Sequence, residues 1–129
     1  MNSSGESRGG VLAVGVDLVE IRRVATLAER YGERFMGRVF TPAERSDCGD
    51  RPESLAARWA VKEAVAKALG TGFGPVGFRE IEVLRECAGQ PELRLSGKAR
   101  ALAEGRGLCS WAVSVSHDGG YAIAFVVAT

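Results

Sequence analysis

The sequence predicts an α+β domain, a mostly antiparallel sheet packed with a long central helix. Three observations point there. Segments with helical spacing and short β-rich apolar segments succeed one another along the chain. The strand-like segments come mainly as neighbours joined by glycine-containing turns, which makes them antiparallel. One segment, 52–69, runs as good helix formers with a Pro at its start and Gly70 at its stop.

The elements are expected in the following order. Residues 1–10 are Ser/Gly-rich and polar and are expected to be a disordered leader. The continuous apolar run 11–16 reads as a buried strand, closed by Asp17. Leu18, Ile21, Val24, Leu27 and Ala28 then recur at helical spacing over 18–31, with Gly32 as the stop. Residues 34–40 form a connecting arm. Thr41-Pro42-Ala43-Glu44 has the form of a capping box, with Thr41 at the N-cap, Pro at the first helical position and Glu44 reaching back. The central helix follows at 52–69, then a glycine-rich loop at 70–77. Residues 79–85 and 92–95 read as a hairpin around Gly89-Gln90-Pro91. Ser96 is the expected cap of a helix over 97–104. Residues 110–116 and 121–127 form a second strand pair turning at Asp118-Gly119-Gly120.

A chain of 129 residues, 46% hydrophobic and 26% charged, is expected to be one domain with a real core, here 11–129. With 17 basic against 16 acidic residues, bulk charge gives no case for nucleic acid. No run is long enough to span a membrane, and residues 11–16 are too short for a signal peptide's apolar region. Cys48, Cys87 and Cys109 are odd in number and far apart, with no Cys/His cluster beside them. That pattern supports neither a zinc site nor a disulfide framework, and it suits a reducing cytoplasm.

The central helix carries charges on two sides of an apolar cylinder. Arg58 and Lys62 share one side; Glu63 and Lys67 lie roughly opposite. Glu63 and Lys67 are either an exposed i,i+4 pair or groups facing a cleft or a neighbouring chain. Asp17 either caps the next helix or projects into a site from a strand end. His117, the single histidine, ends another strand beside Ser116 and Asp118. It is a structural His or a ligand contact. The Gly70-Thr71-Gly72-Phe73-Gly74 loop follows a helix, whereas phosphate-binding glycine loops open one. Gly70 is therefore first a helix C-cap, although the loop would admit a ligand closely. Arg22, Arg23 and Arg30 lie along the first helix, with Arg23 and Arg30 on one face. They are a solvated face or a dock for an acidic partner.

Gly15-Val16-Asp17-Leu18-Val19-Glu20-Ile21-Arg22-Arg23 resembles the opening of the holo-[acyl-carrier-protein] synthases. Residues 58–72 resemble their signature helix and loop, and 113–117 is similar to their penultimate strand. Asp17 followed by Lys62-Glu63-Ala64 and Lys67-Ala68 matches the pattern of the 4′-phosphopantetheinyl transferase superfamily. The resemblance covers nearly the whole chain and favours the short, single-domain, trimeric branch.

The resemblance implies the 4′-phosphopantetheinyl transferase fold and transfer of 4′-phosphopantetheine from coenzyme A to a serine of an acyl carrier protein, releasing adenosine 3′,5′-bisphosphate. It matches Asp17 and Glu63 to Mg²⁺-binding carboxylates and Lys67 to a lysine near the pyrophosphate. Arg58 and His117 match contacts to the nucleotide's phosphates. Lys62 and the loop glycines Gly70 and Gly72 belong to the same expected coenzyme A site. Arg22, Arg23 and Arg30 match the face that meets the acidic carrier. The implied assembly is a homotrimer, which would also cover the apolar cylinder around Glu63 and Lys67. The competing reading is a catalytically idle homologue that binds coenzyme A or carrier protein as a scaffold. Intact Asp17, Glu63 and Lys67 argue against it. Trp59 stands where the family often has Phe, and the arm before Phe40 is about one residue longer than in some relatives.

Overall fold

The computed structural model describes residues 10–49, 51–85 and 90–129. The expected leader apart from Gly10, and Gly89 of the expected hairpin turn, lie outside the described residues.

Strand β1 spans Ala13–Glu20 and pairs antiparallel with β5, Tyr121–Ala128, which pairs antiparallel with β4, Trp111–Asp118. A separate antiparallel hairpin joins β2, Ile81–Arg85, to β3, Pro91–Leu95. Five α-helices accompany them among the described residues: α1 (Ile21–Tyr31), α2 (Glu33–Val39), α3 (Pro42–Cys48), α4 (Pro52–Leu69) and α5 (Gly97–Gly105). The α+β expectation holds.

Three boundaries differ from the sequence reading. Strand β1 continues past Val16 through Glu20, because Asp17, Leu18, Val19 and Glu20 find ladder partners in Ala124, Ile123, Ala122 and Tyr121. Leu18 therefore belongs to the period-2 pattern of Val14 and Val16, not to the helix that follows. Asp17 lies within the strand and caps nothing; the N-cap position of α1 is Glu20, with no side-chain cap. The expected arm is the helix α2, which buries Met36 and Val39. Asp118 joins β4, so the turn contracts to Gly119-Gly120, whose φ values of 57° and 85° suit a two-residue mirror-type turn.

Capping chemistry was half local and half tertiary. The capping box on α3 forms as expected: Thr41 Oγ1 accepts from Glu44 N at 3.2 Å, and Glu44 Oε1 accepts from Thr41 N at 2.9 Å. Ser96 holds the N-cap position of α5 but its side chain caps nothing. The carboxylate of Glu80 takes that role, with Oε2 accepting from Lys98 N at 3.1 Å.

Helix α4 is buried along most of its length against β1 and β5, so its apolar cylinder is covered by its own chain. Alanines 60, 64 and 68, four residues apart, bring it close to the sheet. The uncovered apolar surface is instead the far face of the sheet. Val14, Val16, Leu18, Tyr121, Ile123 and Phe125 alternate onto it, and each is 43–60% exposed.

Candidate functional site

The site depends on how closely β1 approaches α4. A Cβ on Gly15 would stand 1.9 Å from the carbonyl oxygen of Ala64 and 3.1 Å from Ala68 N. Only a glycine lets the strand lie on the helix backbone here. Asp17, two residues on, projects from the same face of the strand toward α4.

Asp17 there meets Lys67. Lys67 Nζ donates to Asp17 Oδ1 at 2.9 Å and to the carbonyl of Val16 at 3.1 Å. The aspartate side chain is 14% exposed and the lysine 54%. One turn earlier on α4, Glu63 Oε1 accepts from the indole Nε1 of Trp59 at 3.0 Å. Glu63 and Lys67 are thus not an i,i+4 pair; each has found another partner. Asp17, Glu63, Trp59 and Arg23 line one small cavity of about 220 Å³. Asp17 Oδ2 and Glu63 Oε2 have no hydrogen-bond partner among the described residues.

This donor set suits some metals and not others. Among the described residues no group of three or more His, Cys, Asp or Glu is placed to hold an ion. A structural zinc needs four such ligands. Mg²⁺ binds through one or two carboxylates and completes its octahedron with water and substrate phosphates. Two carboxylates at one open cavity fit Mg²⁺.

The opposite side of α4 is built differently. Lys62 is fully buried and spends its three protons on Glu44 Oε1 at 2.8 Å, the carbonyl of Phe78 at 2.9 Å and that of Ile81 at 2.5 Å. Burial pulls its ammonium below the usual lysine range, opposed by the charge of Glu44. Lys62, expected at the coenzyme A site, is thus buried with all three of its protons bonded inside the protein. Glu44, besides closing its capping box, accepts from Val83 N at 2.8 Å, so one carboxylate ties α3, α4 and β2 together.

Arg58, one turn before Lys62, pairs with Asp47, whose Oδ2 also accepts from Arg85 N at 2.9 Å. Burial pushes the Asp47 carboxyl up, but the Arg85 N–H and the Arg58 hydrogen bond and charge outweigh it and hold it below the usual range. Arg58 lines a larger cleft of about 600 Å³ together with Arg85, Ser114, Ser116 and His117. The Nε of Arg58 is buried without a hydrogen-bond partner among the described residues, an unmet donor beside a cleft that already holds a second arginine and the histidine.

The predicted residues therefore fall into two groups. Asp17, Glu63 and Arg23 line the small cavity, with Lys67 bonded to Asp17; Arg58 and His117 share the large one. His117 and Asp17 lie on the same sheet face but two strands and two register positions apart, roughly 12 Å at the usual spacings. Gly70 is the left-handed C-cap of α4 at φ 80°, as expected, and lines neither cavity; nor does Gly72. Arg22, Arg23 and Arg30 are exposed on α1 and form no ion pair among the described residues. Trp59, Asp47 and Glu44 were not singled out from the sequence as site residues. Only Trp59 carried a signal, as an aromatic with a polar edge one helical turn from Glu63.

Residues 13–126 match the sequence profile of the 4′-phosphopantetheinyl transferase superfamily. The chain is 50% identical over 124 residues to the holo-[acyl-carrier-protein] synthase of Herpetosiphon aurantiacus, covering 91% of this chain and 98% of that protein. It is 49% identical over 117 residues to that of Gloeobacter violaceus, covering 88% and 89%. The crystal structure of Helicobacter pylori holo-[acyl-carrier-protein] synthase in complex with coenzyme A superposes with a TM-score of 0.82 at 33% identity, over 90% of this chain and 99% of that one. The chain belongs to the holo-[acyl-carrier-protein] synthase family of the 4′-phosphopantetheinyl transferases.

Proposed function

We propose that the chain transfers 4′-phosphopantetheine from coenzyme A to a serine of an acyl carrier protein in an Mg²⁺-dependent reaction. The observation that carries this reading is that Asp17 and Glu63, from two elements, line one small cavity, with Lys67 hydrogen-bonded to Asp17 at 2.9 Å. In the reaction the serine oxygen forms a bond to the phosphorus bearing the pantetheine arm. The bond from that phosphorus to the bridging oxygen breaks, adenosine 3′,5′-bisphosphate departs, and the serine proton passes to a base.

Asp17 and Glu63 would hold the ion through Oδ2 and Oε2. When bound, Mg²⁺ would offset the charge that develops on the pyrophosphate. Lys67, anchored on Asp17 and the Val16 carbonyl, has one proton left for a phosphate oxygen. Its anchorage pre-orients the ammonium, so less ordering is required when substrate arrives. Arg58 and Arg85 bring guanidinium groups to the large cleft, and His117 an imidazole, donors suited to the nucleotide's phosphates. The exposed arginines of α1 suit the acidic surface of a carrier protein.

The apolar outer face of the β1–β5–β4 sheet supports the homotrimer. A contiguous exposed patch of Val, Leu, Ile, Phe and Tyr on a soluble enzyme marks an interface. Cyclic packing of three such sheets would cover it and place the active sites at subunit boundaries. No helix among the described residues is long and apolar enough to cross a membrane, which agrees with a cytoplasmic enzyme.

The direct test is mass spectrometry of an apo acyl carrier protein incubated with the protein, coenzyme A and Mg²⁺. The expected result is a phosphopantetheine mass increment on the carrier that disappears with chelator. Tight coenzyme A binding without any increment would overturn the reading in favour of a scaffold.

A further inference from the structure

Trp59 stands at a crossing of four elements. Its indole N–H is given to Glu63 Oε1 at 3.0 Å. Its ring is packed by Phe35 of α2 at 5.4 Å and, edge to face, by Phe78 at 6.1 Å. Phe78 is itself stacked on Phe73 at 3.8 Å. Above the ring, the guanidinium of Arg23 from α1 sits 5.7 Å from the centroid. Arg23, Trp59 and Glu63 line the same cavity as Asp17.

A glutamate on a half-exposed helix face has three side-chain torsions to settle. Here one oxygen is anchored by a donor whose own orientation is set by aromatic rings on both sides. The other oxygen is left toward the cavity. Phenylalanine would supply a similar apolar aromatic body and no N–H to give. The indole N–H of this chain thus does something its ring packing alone does not require.

We propose that Trp59 is a positioning residue: its indole N–H holds the Glu63 carboxylate in the rotamer that binds the divalent ion, and Arg23 braces the ring from the carrier-docking helix. The proposal rests on the reading that Asp17 and Glu63 hold that ion. Partners that orient metal-binding carboxylates typically change metal affinity 10- to 100-fold when removed. A neutral donor to one oxygen belongs at the low end, about tenfold.

The experiment measures Mn²⁺ binding by calorimetry, with coenzyme A present at saturation, for wild type, Asp17→Ala and Trp59→Phe. The expected result is loss of binding in Asp17→Ala and about tenfold weaker binding in Trp59→Phe, with the denaturation midpoint of the latter close to wild type. Unchanged Mn²⁺ affinity in Trp59→Phe, with binding lost in Asp17→Ala, would overturn the positioning role and leave the metal reading standing. Equal binding in wild type and Asp17→Ala, or none in either, would remove the metal reading itself.

Should Trp59→Phe not fold, the wild-type protein decides. Trp59 and Trp111 give two indole N–H resonances, assigned by Trp111→Phe. Trp111 pairs with Ala128 and Asp17 with Ala124, about 13 Å apart along the sheet, so Trp111 is a spectator. Addition of diamagnetic Mg²⁺ with coenzyme A should move the Trp59 resonance and leave the Trp111 resonance in place. A Trp59 resonance that stays still while Mg²⁺ binds would refute the proposal.

Discussion

Helix α4 shows two ways of using charge, one on each flank. On the flank that carries Arg58 and Lys62, charges are paired inside the protein: Lys62 with Glu44 and two carbonyls, Arg58 with Asp47. On the flank that carries Glu63 and Lys67, each charge keeps part of its bonding capacity unused beside an open cavity. The helix is one continuous run of small and apolar residues, so the difference comes from what the fold brings to each side. Helix α3 and β2 deliver carboxylates and carbonyls to the first flank and close it around Lys62, while Arg58 keeps its Nε unbonded beside the large cleft. Strand β1 delivers Asp17 to the second and leaves it open. Buried pairs that satisfy every donor are structural; pairs that leave donors and acceptors pointing at solvent are where a ligand can act.

The sharpest way to break this comparison is to remove one charge from each flank. Lys62→Ala leaves the Glu44 carboxylate uncompensated in the core and is expected to cost about 3–5 kcal/mol of stability. Denaturant midpoints measure it. A Lys62→Ala protein as stable as wild type would return Lys62 to the list of ligand contacts. Glu63→Ala should do the reverse. Its transferase kcat/KM is expected to fall at least about 100-fold, equivalent to roughly 2.7 kcal/mol, while its midpoint stays within about 0.5 kcal/mol. Comparable stability losses in the two variants would dissolve the distinction.

Gly15→Ala tests what holds the second flank together. The added methyl must displace the Ala64 carbonyl, since both neighbours of that contact are backbone. Overpacking of this kind costs about 1–3 kcal/mol. Because it lifts β1 away from α4, it should also lower turnover beyond what the stability loss explains. A stable, fully active Gly15→Ala would mean that the close approach of strand and helix is not what assembles Asp17 with Lys67.

How far all this was legible in the sequence follows the same division. The second flank was readable only through the family resemblance, since spacing alone left Asp17 open between a cap and a site, and Glu63 and Lys67 between an exposed pair and a cleft. The capping box at Thr41 and the αL stop at Gly70 were readable too, since their chemistry lies within a few residues. The first flank was not. Lys62 looks like Lys67 in sequence, and only the arrival of Glu44, eighteen positions earlier, and of two carbonyls from 78 and 81 distinguishes it. Strand β1 was cut short at Val16 because the spacing of Leu18 and Ile21 also suits a helix. The ladder to β5, formed by residues a hundred positions later, decided it. The apolar outer sheet face was missed for a related reason: alternation on both faces of a strand rich in valine reads as a continuous buried run.

A smaller effect separates the flanks by pH. The Asp47 carboxyl is held below its ordinary value by Arg85 N–H and Arg58. A depressed carboxylate contributes stability that is present above its unfolded pKa of about 4 and is lost as pH falls through the lower folded value. Wild type should therefore lose stability between pH 5 and pH 3, in units of about 1 kcal/mol or less for a partly exposed pair. Asp47→Asn should show a flatter acid limb over the same range. Urea midpoints at the two pH values give the answer, and parallel slopes would show that the Arg58 anchor does not depend on the Asp47 charge.

The smallest expected effect lies at the outer end of the open flank. Arg23 and Arg30 are seven residues apart on α1, about 10 Å along its axis. Both are exposed and available to an acidic helix laid alongside. Exposed pairs contribute under about 1 kcal/mol each and are screened beyond about 8 Å at physiological ionic strength. Charge reversal at either position should raise KM for the carrier protein roughly threefold at low salt and leave KM for coenzyme A alone. Added salt should weaken the wild type toward the variants. The two arginines should nevertheless part company in kcat. Arg30 lies over Tyr31, away from the site, whereas Arg23 lies over Trp59, whose indole N–H is bonded to Glu63. Arg30→Glu should change only the carrier KM. Arg23→Glu removes a cation from the ring and sets a carboxylate beside the Asp17–Glu63 cavity, so it should lower kcat as well and raise the Mg²⁺ concentration needed for half-maximal rate. Steady-state titration of carrier and Mg²⁺ for both variants at two salt concentrations resolves this. Identical behaviour of the two would confine the open flank to Asp17, Glu63 and Lys67, with α1 serving only as a docking surface.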